Sequence, residues 1–458
     1  MQKNFDVIVI GAGQSGPPLA ARFAERSMTV ALIERQHFGG TCVNDGCIPT
    51  KTLVASARVA HVARHAGGFG VHAGEVGVDM RAVKARKDAI VQQSLASLTD
   101  WLGGISTLTS IRGEARFIGP NAVRVGDAEL TAPKIFIDVG GRASVPEWPG
   151  ISDVPYLTNT SMMSVDFLPA HLIIVGGSYI GLEFAQMYRR FGSLVSVIEA
   201  GPRLIGREDV DVSEALRAML EGEGIVVHVD ARDLAIACDG DQVRVTFDAG
   251  GAARSVVGSH LLVAVGRKPN TDGLGLAVAG IATDSRGYIV VDDELRTSVP
   301  GVWALGDVNG RGAFTHTSYN DFEIVAANLL DGGTRRVSDR IGAYALYTDP
   351  PLGRIGMSEA DARTSGREVL VASLPMSRVG RARERGEATG FMKVLVDAKT
   401  ERILGAALFG IEADEVVQLL LLAMAADLPY TRITRTMFVH PTVTELLPSL
   451  FAGLKPLT

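Results

Sequence analysis

The chain has 458 residues, enough for about three domains at roughly 100 to 200 residues each. Its 47% hydrophobic and 21% charged residues exclude global disorder, and a formal net charge of −6 offers no sequence-wide attraction for nucleic acid or an anionic membrane surface. Three cysteines are too few for a structural disulfide framework, and no run approaches the ~18 apolar residues of a membrane crossing.

At the amino terminus, Asp6 and an immediate strand pattern stand where a signal peptide would carry its basic and apolar regions, so cytoplasmic residence is expected. FDVIVIGAGQSG reads as a β-branched strand running into Gly11, Gly13 and Gly16, followed by a helix and a second strand, TVALIE, that ends at Glu34. Glycines at that place permit a tight turn and close approach to a pyrophosphate, while the later carboxylate can accept from ribose hydroxyls.

Cys42 and Cys47 follow inside GGTCVNDGCIPTKTLVASARVA. In a regular helix a five-residue step separates α-carbons by about 8.6 Å, beyond the ~6.8 Å limit usual for a disulfide, so a bond here requires an irregular first turn. Asn44 and Gly46 accept such a backbone, and the segment beyond Pro49 reads as helix. A helix start favours thiolate, which Asp45 opposes if its carboxylate faces the sulfurs. A mere staple would contribute only about 2 kcal/mol by chain entropy and would be reduced in most cytosols, so redox chemistry is the better reading. His61 and His65 have i,i+4 spacing but no third ligand, and read as surface helix.

HLIIVGGSYIGLEFAQ followed by LVSVIE repeats the first plan, with Gly176, Gly177, Gly181 and Glu199. Gly11 to Glu34 and Gly176 to Glu199 are each 23 residues apart, and the copies are offset by 165. Ser178 stands where the middle glycine of the second copy belongs. Two nucleotide sites in one chain suggest hydride traffic between nicotinamide and flavin. Cys42 lies eight residues beyond Glu34, which makes the first site the home of FAD and the second that of NAD(P)H. Glu199 should accept from an unphosphorylated ribose and repel a 2′-phosphate, so NADH is expected over NADPH, with Arg203 and Arg207 opposing that preference if they turn inward. Cys238, beside Asp239 and Gly240 in a turn-like segment, reads as an inert thiol.

GVWALGDVNGRGAFTHTSYNDFEIV reads as a strand, a turn at Gly306 and Asp307, and a helix beginning around Thr315. Past Arg340, YALYTDPPLGRIGM, FMKVLVDAKTERILGAALFG and the amphipathic run from Ala413 suggest a mixed α/β unit. The expected fold is α/β: a Rossmann-like FAD-binding domain over 1–155, which the family resemblance given next makes discontinuous by adding 273–340, a Rossmann-like NAD(P)-binding domain over 156–272, and a carboxyl-terminal α/β domain over 341–458.

The motifs GAGQSG, GGTCVNDGCIPTK, GGSYIGLEFA, AVGRKPN, ALGDV and HPTVTE together resemble the class I pyridine nucleotide-disulfide oxidoreductases, the family of dihydrolipoamide dehydrogenase, glutathione reductase and mercuric reductase, over essentially the whole chain. The wording around the cysteines and MFVHPTVTELLPSLF is similar to bacterial mercuric-reductase-like and reactive-chlorine-resistance flavoproteins. The resemblance implies electron flow from NAD(P)H through FAD to the Cys42–Cys47 disulfide and then to an acceptor. It implies Cys47 as the thiol facing FAD, Cys42 as the thiol facing substrate, Lys51 near the flavin and paired with Glu183, and Tyr179 as an aromatic gate that nicotinamide displaces. Gly40, Thr41, Lys51, Gly306, Asp307 and Thr315 join the implied FAD set, with Asp307 on the ribityl chain. Ile180 and Gly266 join the nicotinamide set. His440 and Glu445 match the family's acid-base pair, supplied from the opposite subunit, so a homodimer joined through the 341–458 domain is implied.

A small disulfide or dithiol is the expected partner, with neither nucleic acid nor membrane and no resident metal. A soft metal ion, Cu(II) or Hg(II), is the rival acceptor for the same dithiol. No cysteine follows Cys238, and His440 departs from the usual mercuric-reductase pattern, which leaves Cu(II) the stronger rival. A redox sensor is the non-enzymatic alternative, and it gives the acid-base pair no purpose.

Overall fold

Val7–Ile10 is apolar, branched and buried at every position, as a strand covered on both faces must be. In the computed structural model, which describes residues 2–457, it is the middle strand of a five-stranded sheet. The order is Val302–Ala304, Lys134–Ile137, Val7–Ile10, Val30–Glu34, Leu108–Arg112, and every pairing is parallel. Strands later in the chain lie on both sides of Val7–Ile10, so the connections diverge there and open a crevice at the carboxyl ends of the strands. Gly11 stands at that crevice.

A second parallel sheet repeats the plan in the order Val226–His228, Leu194–Ile198, His171–Val175, His260–Val263. The duplication reaches the backbone hydrogen bonds: Gly11 N–H donates to Ile33 and Gly176 N–H to Ile198, each at 2.8 Å. Gly11 has φ 100° and Gly176 φ 117°, and a Cβ would lie 2.2 Å from the Asp138 carbonyl oxygen in the first copy and 2.3 Å from that of Ala264 in the second. The copies diverge one step later. A Cβ on Gly13 would lie 2.9 Å from Asp138 Oδ2, whereas Ala264 has no carboxylate to meet, so the second copy tolerates Ser178 in place of the middle glycine.

The carboxyl-terminal unit is a six-stranded antiparallel sheet in the order Ala343–Leu346, Leu352–Gly356, Ile403–Phe409, Phe391–Asp397, Val369–Pro375, Lys455–Pro456. The helix Ala413–Ala425 buries Val416, Val417 and Leu420 against it. Between the last two strands of the second parallel sheet runs an antiparallel meander, Arg232–Asp239, Gln242–Ala249, Ala252–Gly258. It corrects the turn-like reading of Cys238, which pairs with Val243 in strand register. The turn falls beyond it, at Gly240 with φ 61°. Among the described residues no helix is long and apolar enough to cross a membrane.

One hydrophobic core fixes the cysteine helix, Cys47–His65, in place. Leu53 and Ala57 share it with Phe184 and Tyr188 of the helix Tyr179–Phe191 and with Leu346 and Leu352 of the carboxyl-terminal sheet. Burying each large apolar side chain contributes about 1.5–3 kcal/mol, so packing from three stretches of the chain anchors the cysteine helix.

Candidate active site

Gly40–Asn44 forms one short helix, which ends at Asp45 (φ −145°, ψ 22°), and after Gly46 (φ −131°, ψ −115°) a new helix starts at Cys47. A side chain on Gly46 would meet the Thr41 carbonyl oxygen at 2.8 Å. This break is the irregular turn that a Cys42–Cys47 bond requires. Asn44 secures it by donating to the Phe38 carbonyl at 2.9 Å and the Gly40 carbonyl at 2.8 Å. Both cysteines are free thiols here.

The pair is electrostatically asymmetric. The interaction with Cys42 pulls the acidity constant of Cys47 down to about 6, helped by the Thr315 hydroxyl and the Lys51 ammonium and opposed by burial and Glu183. Cys42 is pushed up, first by its interaction with Cys47 and then by burial, so of the two sulfurs Cys47 is the one whose thiolate is favoured. Thr315 is the first residue of the helix Thr315–Leu330, and its Oγ1 lies 3.0 Å from Cys47 Sγ. The Asp45 carboxylate is engaged elsewhere, accepting from Thr160 Oγ1 at 2.6 Å.

Lys51 and Glu183, 132 residues apart, meet with Nζ 2.7 Å from Oε2. Glu183 Oε1 accepts the Tyr347 N–H at 3.0 Å, and the Lys51 ammonium stands 4.5 Å from the centre of the Tyr347 ring. No motif signals Tyr347, which reaches the site from the carboxyl-terminal unit.

A cavity of about 1020 Å³ joins these groups to the first glycine loop. Gly11, Gly13, Glu34, Gly40, Thr41, Cys42, Cys47, Lys51, Asp307 and Thr315 all line it, with Tyr179, Ile180 and Glu183 on its wall. Gly16 lies just behind, opening the helix Gly16–Glu25, and Gly306 precedes Asp307 with its N–H on Asp321 Oδ2 at 2.8 Å. Glu34 is held by the N–H groups of Ala12 at 2.9 Å and Gln36 at 2.7 Å, and its remaining lone pairs can serve a ribose. Backbone N–H groups at a helix start suit a diphosphate, and the volume suits a dinucleotide. The residues present therefore fit FAD.

The second copy reproduces the acid's setting: Glu199 accepts from Gly177 N–H at 2.6 Å and Gly201 N–H at 2.7 Å. A Cβ on Gly181 would lie 2.0 Å from the Gly176 carbonyl oxygen, so helix and loop touch there. Gly266, with φ 134°, turns the chain after the strand His260–Val263, and its carbonyl accepts from Ser144 N–H at 2.9 Å. Arg203 turns to its own loop and donates to the Gly206 carbonyl at 3.0 Å, while Arg207 is exposed.

His440 Nδ1 lies 2.9 Å from Glu445 Oε2, so this pair is formed. The His440 side chain is 80% exposed, and neither residue lines the cysteine cavity of its own chain. The His61 and His65 rings lie 4.2 Å apart and tilted by 31°, His61 half-buried and His65 exposed, with His65 Nδ1 2.8 Å from the His61 carbonyl oxygen. Asp209, Asp211 and Glu359 converge elsewhere, around the Lys393 ammonium at 2.7–2.9 Å.

The family profile described as pyridine nucleotide-disulphide oxidoreductase matches residues 5–321, and its dimerisation-domain profile matches residues 343–450. The probable pyridine nucleotide-disulfide oxidoreductase RclA of Escherichia coli strain K12 is 37% identical over 460 residues, covering 99% of this chain and 100% of that protein. A dihydrolipoyl dehydrogenase of Thermus scotoductus is 34% identical over 97% of this chain and 96% of its own length. A mercuric reductase of Bacillus cereus is 32% identical over 96% and 70%. Among solved structures, the Cu(II) complex of the HOCl-induced flavoprotein disulfide reductase RclA from Escherichia coli superposes with a TM-score of 0.89 at 36% identity, over 97% of this chain and 99% of that one.

Proposed function

The chain belongs to the pyridine nucleotide-disulfide oxidoreductase family, and on that premise we propose that it draws on NADH to keep the Cys42–Cys47 dithiol reduced and uses that dithiol to reduce a small-molecule disulfide. The carrying observation is geometric: Cys42 and Cys47 line one cavity with the first glycine loop, Thr315 Oγ1 lies 3.0 Å from Cys47 Sγ, and the Lys51–Glu183 pair stands on the same wall.

Bound FAD supplies a two-electron carrier between nicotinamide and the sulfurs. Gly11, Gly13 and Gly16 would hold its diphosphate, Glu34 a ribose, and Gly40, Thr41, Lys51, Gly306, Asp307 and Thr315 the remainder. Gly176, Gly177, Ile180, Gly181, Glu199 and Gly266 would hold the nicotinamide dinucleotide, with Tyr179 covering the nicotinamide entry.

A thiol must lose its proton before it attacks an acceptor, and His440 of the partner subunit, oriented by Glu445, is suited to take the proton from Cys42. Cys42 Sγ then forms a bond to one acceptor sulfur, the other sulfur leaves, and the imidazolium returns the proton to it. The Cys47 thiolate next attacks Cys42 Sγ, expels the second thiol, which takes a proton from water, and restores the disulfide. One disulfide becomes two thiols as the dithiol is oxidised by two electrons.

NADH preference is supported by the carboxylate of Glu199 and by the commitment of Arg203 to its own loop. A higher kcat/KM with NADPH would reverse it. A cytoplasmic homodimer completes the reading. Cu(II) is the second acceptor reading, favoured by the Cu(II) complex of the 36% identical structure. Steady-state turnover with glutathione disulfide, oxidised lipoamide, Cu(II) and Hg(II) separates the two. Cys42→Ser should abolish disulfide reduction with flavin content intact, and full residual turnover would refute the assignment.

A further inference from the structure

Asp45 is the one carboxylate within the redox turn, three residues after Cys42 and two before Cys47. A negative charge so near along the chain raises a thiol when it faces the sulfur, against the helix start that favours thiolate. Asp45 stands where the backbone breaks, between the helix Gly40–Asn44 and the helix that begins at Cys47, and it lines the same cavity as both cysteines.

Its polar groups are taken up by residues 114 and 115 positions further along the chain. Thr160 Oγ1 donates to Asp45 Oδ2 at 2.6 Å, and the Asn159 amide donates at 3.2 Å to the Asp45 carbonyl oxygen, an acceptor the broken helix leaves free. Asn159 Nδ2 also stands 3.5 Å from Thr160 Oγ1, so it meets a lone pair there and leaves the hydroxyl proton to the carboxylate. The platform is firm. Asn159 and Met162 are buried in the short helix Asn159–Met162, where the Thr158 N–H donates to Ser161 Oγ at 2.9 Å, and Met162 shares one hydrophobic core with Leu53 and Ala57 of the cysteine helix.

Asp45 does not gather with the two sulfurs: among the described residues, Asp209, Asp211 and Glu359 are the one set of three such ligand atoms within 4.8 Å of one another. Cys47 is faced instead by Cys42 from the preceding helix, Lys51 from its own, and Thr315 and Glu183 from two others. We propose that Asn159 and Thr160 brace the redox turn, with Thr160 holding the Asp45 carboxylate off the Cys42 and Cys47 sulfurs, so that an acid inside the turn leaves the thiolate undisturbed. Both are positioning residues, acting through Asp45. The inference deepens the proposed dithiol chemistry and rests on Cys47 carrying the thiolate.

The test is the pH midpoint for iodoacetamide labelling of Cys47 in the reduced, FAD-loaded enzyme, read by peptide mass. Thr160→Val keeps the shape and removes the hydroxyl. Freeing the carboxylate should raise the midpoint by about half to one unit, which is about a threefold to tenfold loss of thiolate at lower pH. Thr160→Ser should keep the native midpoint, and Asp45→Asn should move it by less than about 0.3 unit, because the charge it removes is already held away. In the Asp45→Asn background Thr160→Val should have no further effect. Thr160→Ala serves if Thr160→Val does not load flavin. An unchanged midpoint in Thr160→Val overturns the brace, and an equal rise in the Asp45→Asn background overturns it in favour of packing. A fall of half a unit or more in Asp45→Asn alone would mean that the carboxylate already acts on the sulfur, which also overturns it. A native Cys47 midpoint in the ordinary thiol range would instead defeat the thiolate reading itself, and the brace with it.

Discussion

Cys47 Sγ sits 3.0 Å from Thr315 Oγ1, across 268 residues of sequence, and each of the two residues opens a helix. Two helix starts and a hydroxyl converge on one sulfur, an arrangement that favours negative charge there. Thr315→Val keeps the shape and removes the hydroxyl, so the Cys47 value should rise from about 6 by roughly half to one unit. The folded value lies below the ordinary thiol value of 9.0, so the stability Cys47 contributes is present above 9.0 and is lost as pH falls towards 6. Iodoacetamide labelling of the reduced protein against pH, read by peptide mass, gives the midpoint at Cys47. An unchanged midpoint in Thr315→Val would exclude the hydroxyl as a cause.

The Lys51–Glu183 pair is unevenly buried, with side chains 35% and 7% exposed. Lys51→Met strands the buried carboxylate, whereas Glu183→Gln leaves an ammonium that water still reaches. Breaking a fully buried pair costs about 3–5 kcal/mol, and the exposure of Lys51 reduces this to roughly 1–3 kcal/mol for Lys51→Met, with Glu183→Gln costing less. The double variant should be more stable than Lys51→Met alone. Urea unfolding of the four proteins tests the order, and equal losses in the two single variants would contradict it.

The contrast between local and distant contacts explains what the sequence makes legible. Both glycine loops, both ribose acids and the cysteine pair are readable because each signature lies within one β-α-β unit or one turn. The Lys51–Glu183 partnership spans 132 residues and emerges only through family resemblance, and the Tyr344–Glu208 bond, across 136 residues, has no motif at all. Asp138 ends an ordinary buried strand in the sequence and acquires meaning only under Gly13. The meander over 232–258 escapes notice because many of its residues, Arg232 and Asp233 among them, are exposed and read as loop.

Asp138 carries its own consequence. Burial pushes its acidity constant up to about 8, against the Gly16 N–H at 2.8 Å and the Ser15 side chain, which both pull it down. The folded state therefore holds an extra proton between the ordinary 3.8 and about 8, and stability falls as pH rises through that window. Asp138→Asn retains an oxygen acceptor for Gly16 and removes the titration. Its Tm should match the native chain near pH 4 and exceed it by about 3 °C or more at pH 8.5, since 1 kcal/mol corresponds to roughly 2–4 °C in domains of this size. A constant Tm difference across that range would mean that Asp138 does not titrate there.

The His440–Glu445 pair is fully formed at 2.9 Å, yet it lies outside the cavity that holds Cys42 in the same chain. An acid-base pair with no sulfur in its own chain to serve becomes useful when a two-fold axis brings the partner's cysteines to it. On the proposed dimer, each active site takes its thiols from one subunit and its imidazole from the other. In a heterodimer of one Cys42→Ser subunit and one His440→Ala subunit, one site carries both lesions and the other carries neither. Purified through two different affinity tags, that heterodimer should show about half the native disulfide-reductase activity, while each parent homodimer falls by roughly 100-fold or more. Activity no higher than that of the parents would mean that thiol and imidazole act within a single chain.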